Sequence, residues 1–105
     1  MTGDEVEALV KTKTRNTVRI RRLEERVGDS VAFLSYSIDD QNNMTVWHTE
    51  VPTALQHMGV GAKLVEGALQ LASQNSSRLR LVCPFAKEYL ERHSDLMERL
   101  ALRLG

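Results

Sequence analysis

Apolar and polar positions alternate most cleanly between Val31 and Ile38. Ala32, Leu34, Tyr36 and Ile38 fall on one side, and Val31, Phe33, Ser35 and Ser37 on the other. Period two is the signature of a strand with one buried face. Asp39-Asp40-Gln41-Asn42-Asn43 follows, a turn built from residues that tolerate left-handed backbone. Met44 to Val51 then reads as a second strand, rich in β-branched and aromatic residues. Two such runs around a short polar loop predict an antiparallel hairpin. Pro52 ends the pairing, because it has no N–H to give a ladder. Upstream, Val18 and Ile20 alternate with Arg19 and Arg21, which predicts a charged, solvated edge strand.

The period changes after Pro52. From Val60 to Ala72, Leu64, Val65, Ala68, Leu69 and Ala72 share one face of a helix. Gln74 to Ser77 terminates it, and Leu79, Leu81 and Val82 mark a short strand over Arg78–Cys83. Pro84 suits the first turn of a second helix, with Phe85, Ala86, Tyr89, Leu90 and His93 on one side. Ser94 or Asp95 caps a last helix whose apolar face is Leu96, Met97, Leu100, Ala101 and Leu104. The predicted order is three strands, helix, strand, helix, helix. A helix joining two strands implies a βαβ crossover added to an antiparallel meander, an α/β fold of α+β type with a mixed sheet.

Composition narrows the class. The 105 residues suffice for one domain, with 42% hydrophobic and 27% charged residues. Residues 1–16 are polar and weakly patterned and are expected to be a flexible segment ahead of a domain at 17–105, with Asp4 to Val10 making at most a turn or two of helix. Fourteen basic residues balance fourteen acidic ones, so no global field favours nucleic acid as a partner. The local exception is Lys11 to Arg22, with six basic groups and no acid. No run reaches the roughly 18 apolar residues of a membrane span, and the first residues lack the pattern of a secretory signal. A cytoplasmic protein with no membrane partner is expected. One cysteine excludes an internal disulfide and any two-cysteine zinc site, so no metal is expected.

Candidate chemistry concentrates at Gln56-His57-Met58-Gly59-Val60-Gly61, just before the first helix. Two glycines spaced G-x-G allow close backbone approach, and the helix N-terminus supplies unpaired amides and a favourable dipole for phosphate. A dinucleotide fingerprint needs a third glycine where Leu64 stands, and a P-loop needs a hydroxyl after Lys63, which Leu64 does not provide. Coenzyme A is the third guest. A glycine turn that only packs the helix on its strand is the purely structural alternative.

Gln56-x-x-Gly59-x-Gly61 resembles the Q/R-x-x-G-x-G/A motif of the GCN5-related N-acetyltransferases. Trp47-His48-Thr49-Glu50-Val51-Pro52, the glycine loop, Cys83-Pro84-Phe85 and Arg92-His93 together resemble the small YjdJ-type acetyltransferase-like domains over residues 17 to 97. Ser94-Asp95-Leu96 departs from the Pro-Glu-Tyr usual there. The resemblance implies a parallel strand, Arg78–Cys83, that splays from Met44–Val51. It implies that acetyl-CoA lies in the gap, held by Val51, Gln56, His57, Met58, Gly59, Val60, Gly61, Ala62 and Lys63.

Acetyl transfer needs a neutral amine and a proton for the departing thiolate. His48 and Glu50, two apart on a strand, share a face and are candidates to deprotonate the amine. Cys83 stands at a helix start, and the resemblance implies that it is an acyl carrier or a wall of the acetyl pocket; a small buried residue is the plain alternative. Tyr89 is the candidate acid by resemblance, although aligning Ala86 with the family's alanine puts Leu90 at that place. The expected function is acetyl-CoA-dependent transfer to an amine, either a small molecule or a protein lysine. A CoA-binding module with little catalysis, and an interaction protein using the basic strand, are the alternatives. The chain is expected as a monomer or homodimer, through the Leu96, Leu100 and Leu104 face.

Overall fold

The computed structural model describes residues 19–105. Lys11 to Val18 of the basic stretch and the expected N-terminal segment lie outside the described residues. Five strands form one sheet in the order β1-β2-β3-β4-β5. They are β1 (Ile20–Val27), β2 (Ser30–Ile38), β3 (Asn43–Glu50), β4 (Arg78–Leu81) and β5 (Arg103–Leu104). A 3-10 turn at Thr53–Leu55 precedes α1 (Val60–Gln74); α2 (Pro84–Arg92) and α3 (Asp95–Arg99) follow β4. β1, β2 and β3 are antiparallel, and β4 joins β3 in parallel through the α1 crossover. This is the mixed α/β architecture expected from the change in period.

All the described helices serve one face of the sheet. Ala32, Leu34 and Tyr36 of β2, Met44 and Val46 of β3, and Leu79 of β4 are buried on it. Against them lie Val60, Leu64, Val65, Ala68, Leu69 and Ala72 of α1, and Ala86 and Leu90 of α2. The two helices also meet each other. An ideal Cβ on Gly61 would come within 2.9 Å of the Phe85 ring, so the ring lies against the first turn of α1 because residue 61 has no side chain.

Three elements differ from expectation. The edge strand runs on to Val27, and its main inward apolar contact is Leu23, packed against the core, while Ile20 is 55% exposed. A stretch of five charges around Leu23 conceals a strand whose partner supplies the register. β4 pairs only as far as Leu81, so Val82 and Cys83 leave the ladder. The last helix ends at Arg99, not Leu104. Ala101 takes a positive φ of 52°, which turns the chain back, buries Leu102 and lays Arg103–Leu104 beside β4 as a fifth strand. Leu104 is therefore 57% exposed rather than part of a helical seam.

A polar clasp ties the β2–β3 turn to the end of α1. Asn42, at φ 62°, donates from Nδ2 to the carbonyl of Asn75 at 2.8 Å and accepts at Oδ1 from the Ser77 hydroxyl at 2.7 Å. Its own carbonyl receives the Arg78 amide at 3.1 Å, which starts β4 at the correct level. The Asp39 carboxylate caps the same turn; hydrogen bonds from the Asn43 amide and side chain hold its pKa below the usual value. Asn42→Ala strands the buried Ser77 hydroxyl and strains the backbone, and is expected to cost about 2 kcal/mol. Asn42→Gly relieves the strain and is expected to cost about 1 kcal/mol less in urea denaturation; equal losses for both would show that the backbone conformation is immaterial.

Candidate active site

The sheet opens where the parallel pairing stops. The last partners are Val46 and Leu81. Beyond them the carbonyl of Val46 accepts two amides, Val82 at 2.9 Å and Cys83 at 3.1 Å, so β4 turns away. Pro84 follows with no N–H to offer and starts α2 instead. On the other side β3 carries a bulge: Tyr36 faces Val46 and Ser35 faces His48, leaving Trp47 as the extra residue. Bulges sharpen local twist and re-aim side chains. The rest of β3, Trp47 to Glu50, thus has no ladder partner toward β4.

A groove of about 550 Å³ lies between the end of β3, the glycine loop and Phe85 of α2. Its walls include Thr49, Glu50, Val51, Gln56, His57, Gly59, Val60, Gly61, Ala62 and Phe85. Gly59 is the N-cap of α1 at φ 76°, and no side chain caps the helix. The first helical bond runs from the Lys63 amide to the Gly59 carbonyl, so the amides of Val60 to Ala62 precede the ladder. No acidic residue stands in the first turn to neutralise them. His57 is also left-handed, at φ 67°, and Gln56 ties the loop to β3 by donating from Nε2 to the Val51 carbonyl at 3.3 Å. Two left-handed residues around Met58 shape the loop into the concave backbone that suits an anion.

Of the nine residues assigned to the cofactor, Val51, Gln56, His57, Gly59, Val60, Gly61 and Ala62 border this groove. Met58 is 59% exposed and is not in the wall. Lys63 points across α1 to Glu25, at 3.1 Å. Thr49 and Phe85 are wall residues that the sequence did not single out. Strand alternation held a signal for Thr49, since a residue between His48 and Glu50 must face the other way.

The four catalytic candidates do not form one cluster. Cys83 is 2% exposed, at the N-cap of α2, with its sulfur 3.4 Å from the Thr49 hydroxyl on the helix side of the sheet. His48 and Glu50 are paired through Nε2 and Oε1 at 2.7 Å on the opposite side. There the His48 ring meets the edge of Phe33, with centroids 6.1 Å apart. The bulged strand therefore presents one pair to each side of the gap. Tyr89 is in neither group, and of the four candidates only Glu50 borders the groove. Its hydroxyl donates to Glu66 of α1, and its ring stacks on His93 at 4.1 Å. Burial first, then the Glu66 carboxylate, push its pKa up to about 12. Among the described residues no group of three metal-ligating side chains is found, and no helix is long and apolar enough to cross a membrane.

A family model described as GCN5-related N-acetyltransferase matches residues 19–100. The chain belongs to that family. The match covers every described strand and helix except β5, and it includes the open gap and the glycine loop. No curated protein matches the chain closely enough to count as a relative. Acetyl transfer is the activity that this family has in general.

Substitutions at the two loop glycines separate strain from crowding. Gly59→Ala meets no atom within 4 Å but must hold φ 76°, so it is expected to cost about 1 kcal/mol of stability. Gly61→Ala has ordinary backbone and only displaces the half-exposed Phe85 ring, so its stability loss is expected to be smaller. Chemical denaturation of the two variants orders them. Tyr89 also sets an alkaline limit. An unfolded tyrosine ionises near the ordinary value of 10.0 and the folded one at about 12, so its stabilisation is complete below 10 and is lost as pH rises toward 12. Absorbance at the phenolate band is expected to lose a step near 12 in Tyr89→Phe; an unchanged titration would refute the Tyr89–Glu66 contact.

Proposed function

We propose that the chain is an acetyl-CoA-dependent N-acetyltransferase of the small YjdJ type, moving an acetyl group from the CoA thioester to an amine. The observation that carries this reading is the divergence of β3 and β4 after Val46, directly above an uncapped helix N-terminus on a glycine loop. A groove of about 550 Å³ falls within the range of small-molecule sites.

The donor set fits the cofactor. The amides of Val60, Gly61 and Ala62 would hold its pyrophosphate, with the dipole of α1 behind them. The unpaired edge of β3 from Trp47 to Glu50 would bond the amides of the pantetheine arm. Phe85 and Val51 would cover its apolar stretches. When bound, acetyl-CoA supplies an acyl carbonyl already activated as a thioester.

The chain's own residues divide the remaining work by side of the sheet. With Nε2–H donated to Glu50, the neutral His48 ring keeps its lone pair on Nδ1 and accepts a proton there from the incoming amine. Glu50 stabilises the imidazolium that results, and the proton held at Nδ1 is then the one available to the departing thiolate. Thr49 lines the inner wall, where the acyl group would sit, and Cys83 lies buried behind it with its sulfur 3.4 Å from the Thr49 hydroxyl. Tyr89 is left out of this scheme, because its hydroxyl is committed to Glu66.

Calorimetry with acetyl-CoA and with CoA is expected to give one site per chain for each, weakened at least tenfold by Gly61→Leu. Binding of neither would end the proposal. With an accepted amine, His48→Ala is expected to lower kcat about 100-fold, with the KM for acetyl-CoA unchanged. Intact mass after acetyl-CoA treatment shows whether Cys83 carries the acyl group; a mass increase that persists in Cys83→Ala excludes it. Binding without transfer to any amine would make the chain a CoA-binding module.

A further inference from the structure

The sheet has a second face, and among the described residues no element packs on it. Strand register places Arg22, Glu24 and Arg26 of β1 there, with Phe33, Ser35 and Ser37 of β2. β3 adds Thr45, His48 and Glu50, and the β4–β5 side adds Arg78, Arg80 and Arg103. Trp47 lies over the middle of it. Its indole N–H donates to the Ser37 hydroxyl at 2.9 Å, which accounts for the burial of Ser37 on an otherwise open surface.

Charge is unevenly divided across the molecule. This face has five arginines and two glutamates, although the chain as a whole is neutral. Both glutamates are engaged, Glu24 with Arg22 at 3.7 Å and Glu50 with His48 at 2.7 Å. Arg26, Arg78, Arg80 and Arg103 make no ion pair among the described residues. Arg80 acts on the Asp39 carboxyl only through space, as the last of several influences there. Arg78 and Arg103 stand directly opposite each other in the β4–β5 register. Like charges in that arrangement destabilise a sheet. An anion lying between them would remove the penalty.

The three arginines also form a track. Arg78 and Arg80 are two residues apart, so their side chains leave one face about 6.6 Å from each other. That is the spacing of every second residue in an extended chain. Arg80 is the last outward side chain of β4 before the ladder ends at Leu81, so the track leads from Arg103 to the mouth of the gap, with His48 across it. β5 covers β4 only at Arg78 and Leu79, which leaves the outer edge of Arg80 and Leu81 open to another strand.

We propose that this face receives the acceptor, and that the acceptor is an acidic peptide segment, extended along β4, whose lysine reaches the gap beside His48. The inference rests on the acetyl-transfer reading and narrows it: polyamines and arginine-rich tails would be repelled. Carboxylates at alternate positions of the peptide meet Arg78 and Arg80, and Arg103 flanks them.

The test uses the full chain with CoA present and two labelled peptides of equal length. Each has one lysine, flanked by glutamates in one and by arginines in the other. An oligothymidylate serves as a third probe. Anisotropy is expected to show the acidic peptide binding at least tenfold tighter than the basic one, with affinity falling as salt rises. The fluorescence of Trp47, the only tryptophan, is expected to change on binding. Arg103→Glu creates an opposite-charge pair with Arg78, so it is expected to raise the unfolding midpoint while weakening the acidic peptide about threefold. Arg80→Glu is expected to weaken it similarly and to leave acetyl-CoA binding unchanged. A role confined to protecting the sheet edge would not move peptide affinity in either variant, and that result overturns the proposal. Equal or tighter binding of the basic peptide overturns it, as does tighter binding of the oligonucleotide. Acidic-peptide binding with no acetyl transfer once acetyl-CoA replaces CoA upholds the surface and fails the transfer reading instead.

Discussion

One carbonyl receives two amides where a parallel ladder would give it one. Because Val46 bonds both Val82 and Cys83, β4 cannot continue in register, and the sheet divides above that point. The two prolines make the division permanent. Pro84 removes the donor that would resume the ladder and begins α2, while Pro52 ends β3 four residues after His48. The groove, the free edge of β3 and the seating of Cys83 at a helix start all follow from this single break.

The bulge at Trp47 settles what each side of the gap contains. It shifts the alternation of β3 by one residue, so Thr49 joins Cys83 on the helix side while His48 and Glu50 turn to the open side. A transferase that brings a donor and an acceptor together from opposite directions needs this kind of division. The contact of α1 with α2 closes the floor. Gly61 lets the Phe85 ring lie against the first turn of α1, so the same glycine that exposes the amides also allows the cover beside them.

Much of this is legible in the residues. β2, β3, α1 and the start of α2 follow from apolar periodicity and proline placement, and the Gln56–Gly61 loop is recognisable because few other arrangements put two glycines before an amphipathic helix. β1 is only partly legible, since Leu23 is almost its sole inward apolar contact among charged neighbours. The C-terminal end misleads because Leu96, Leu100 and Leu104 are spaced for a helix. Burial of Leu102 and pairing with β4 outweigh that local pattern. Tyr89 illustrates the same difficulty: its position on α2 is plain, but Glu66, which claims its hydroxyl, is 23 residues away on another helix.

Local information therefore determined the element types, the hairpin, the crossover and the glycine loop, because each depends on residues a few positions apart. The tertiary structure decided where pairing stops, which candidates share a side, and how a neutral chain separates its charge. Those outcomes depend on register between distant strands. A one-residue shift at Trp47 reverses every side chain beyond it, and no periodicity within a single strand records the position of its neighbour.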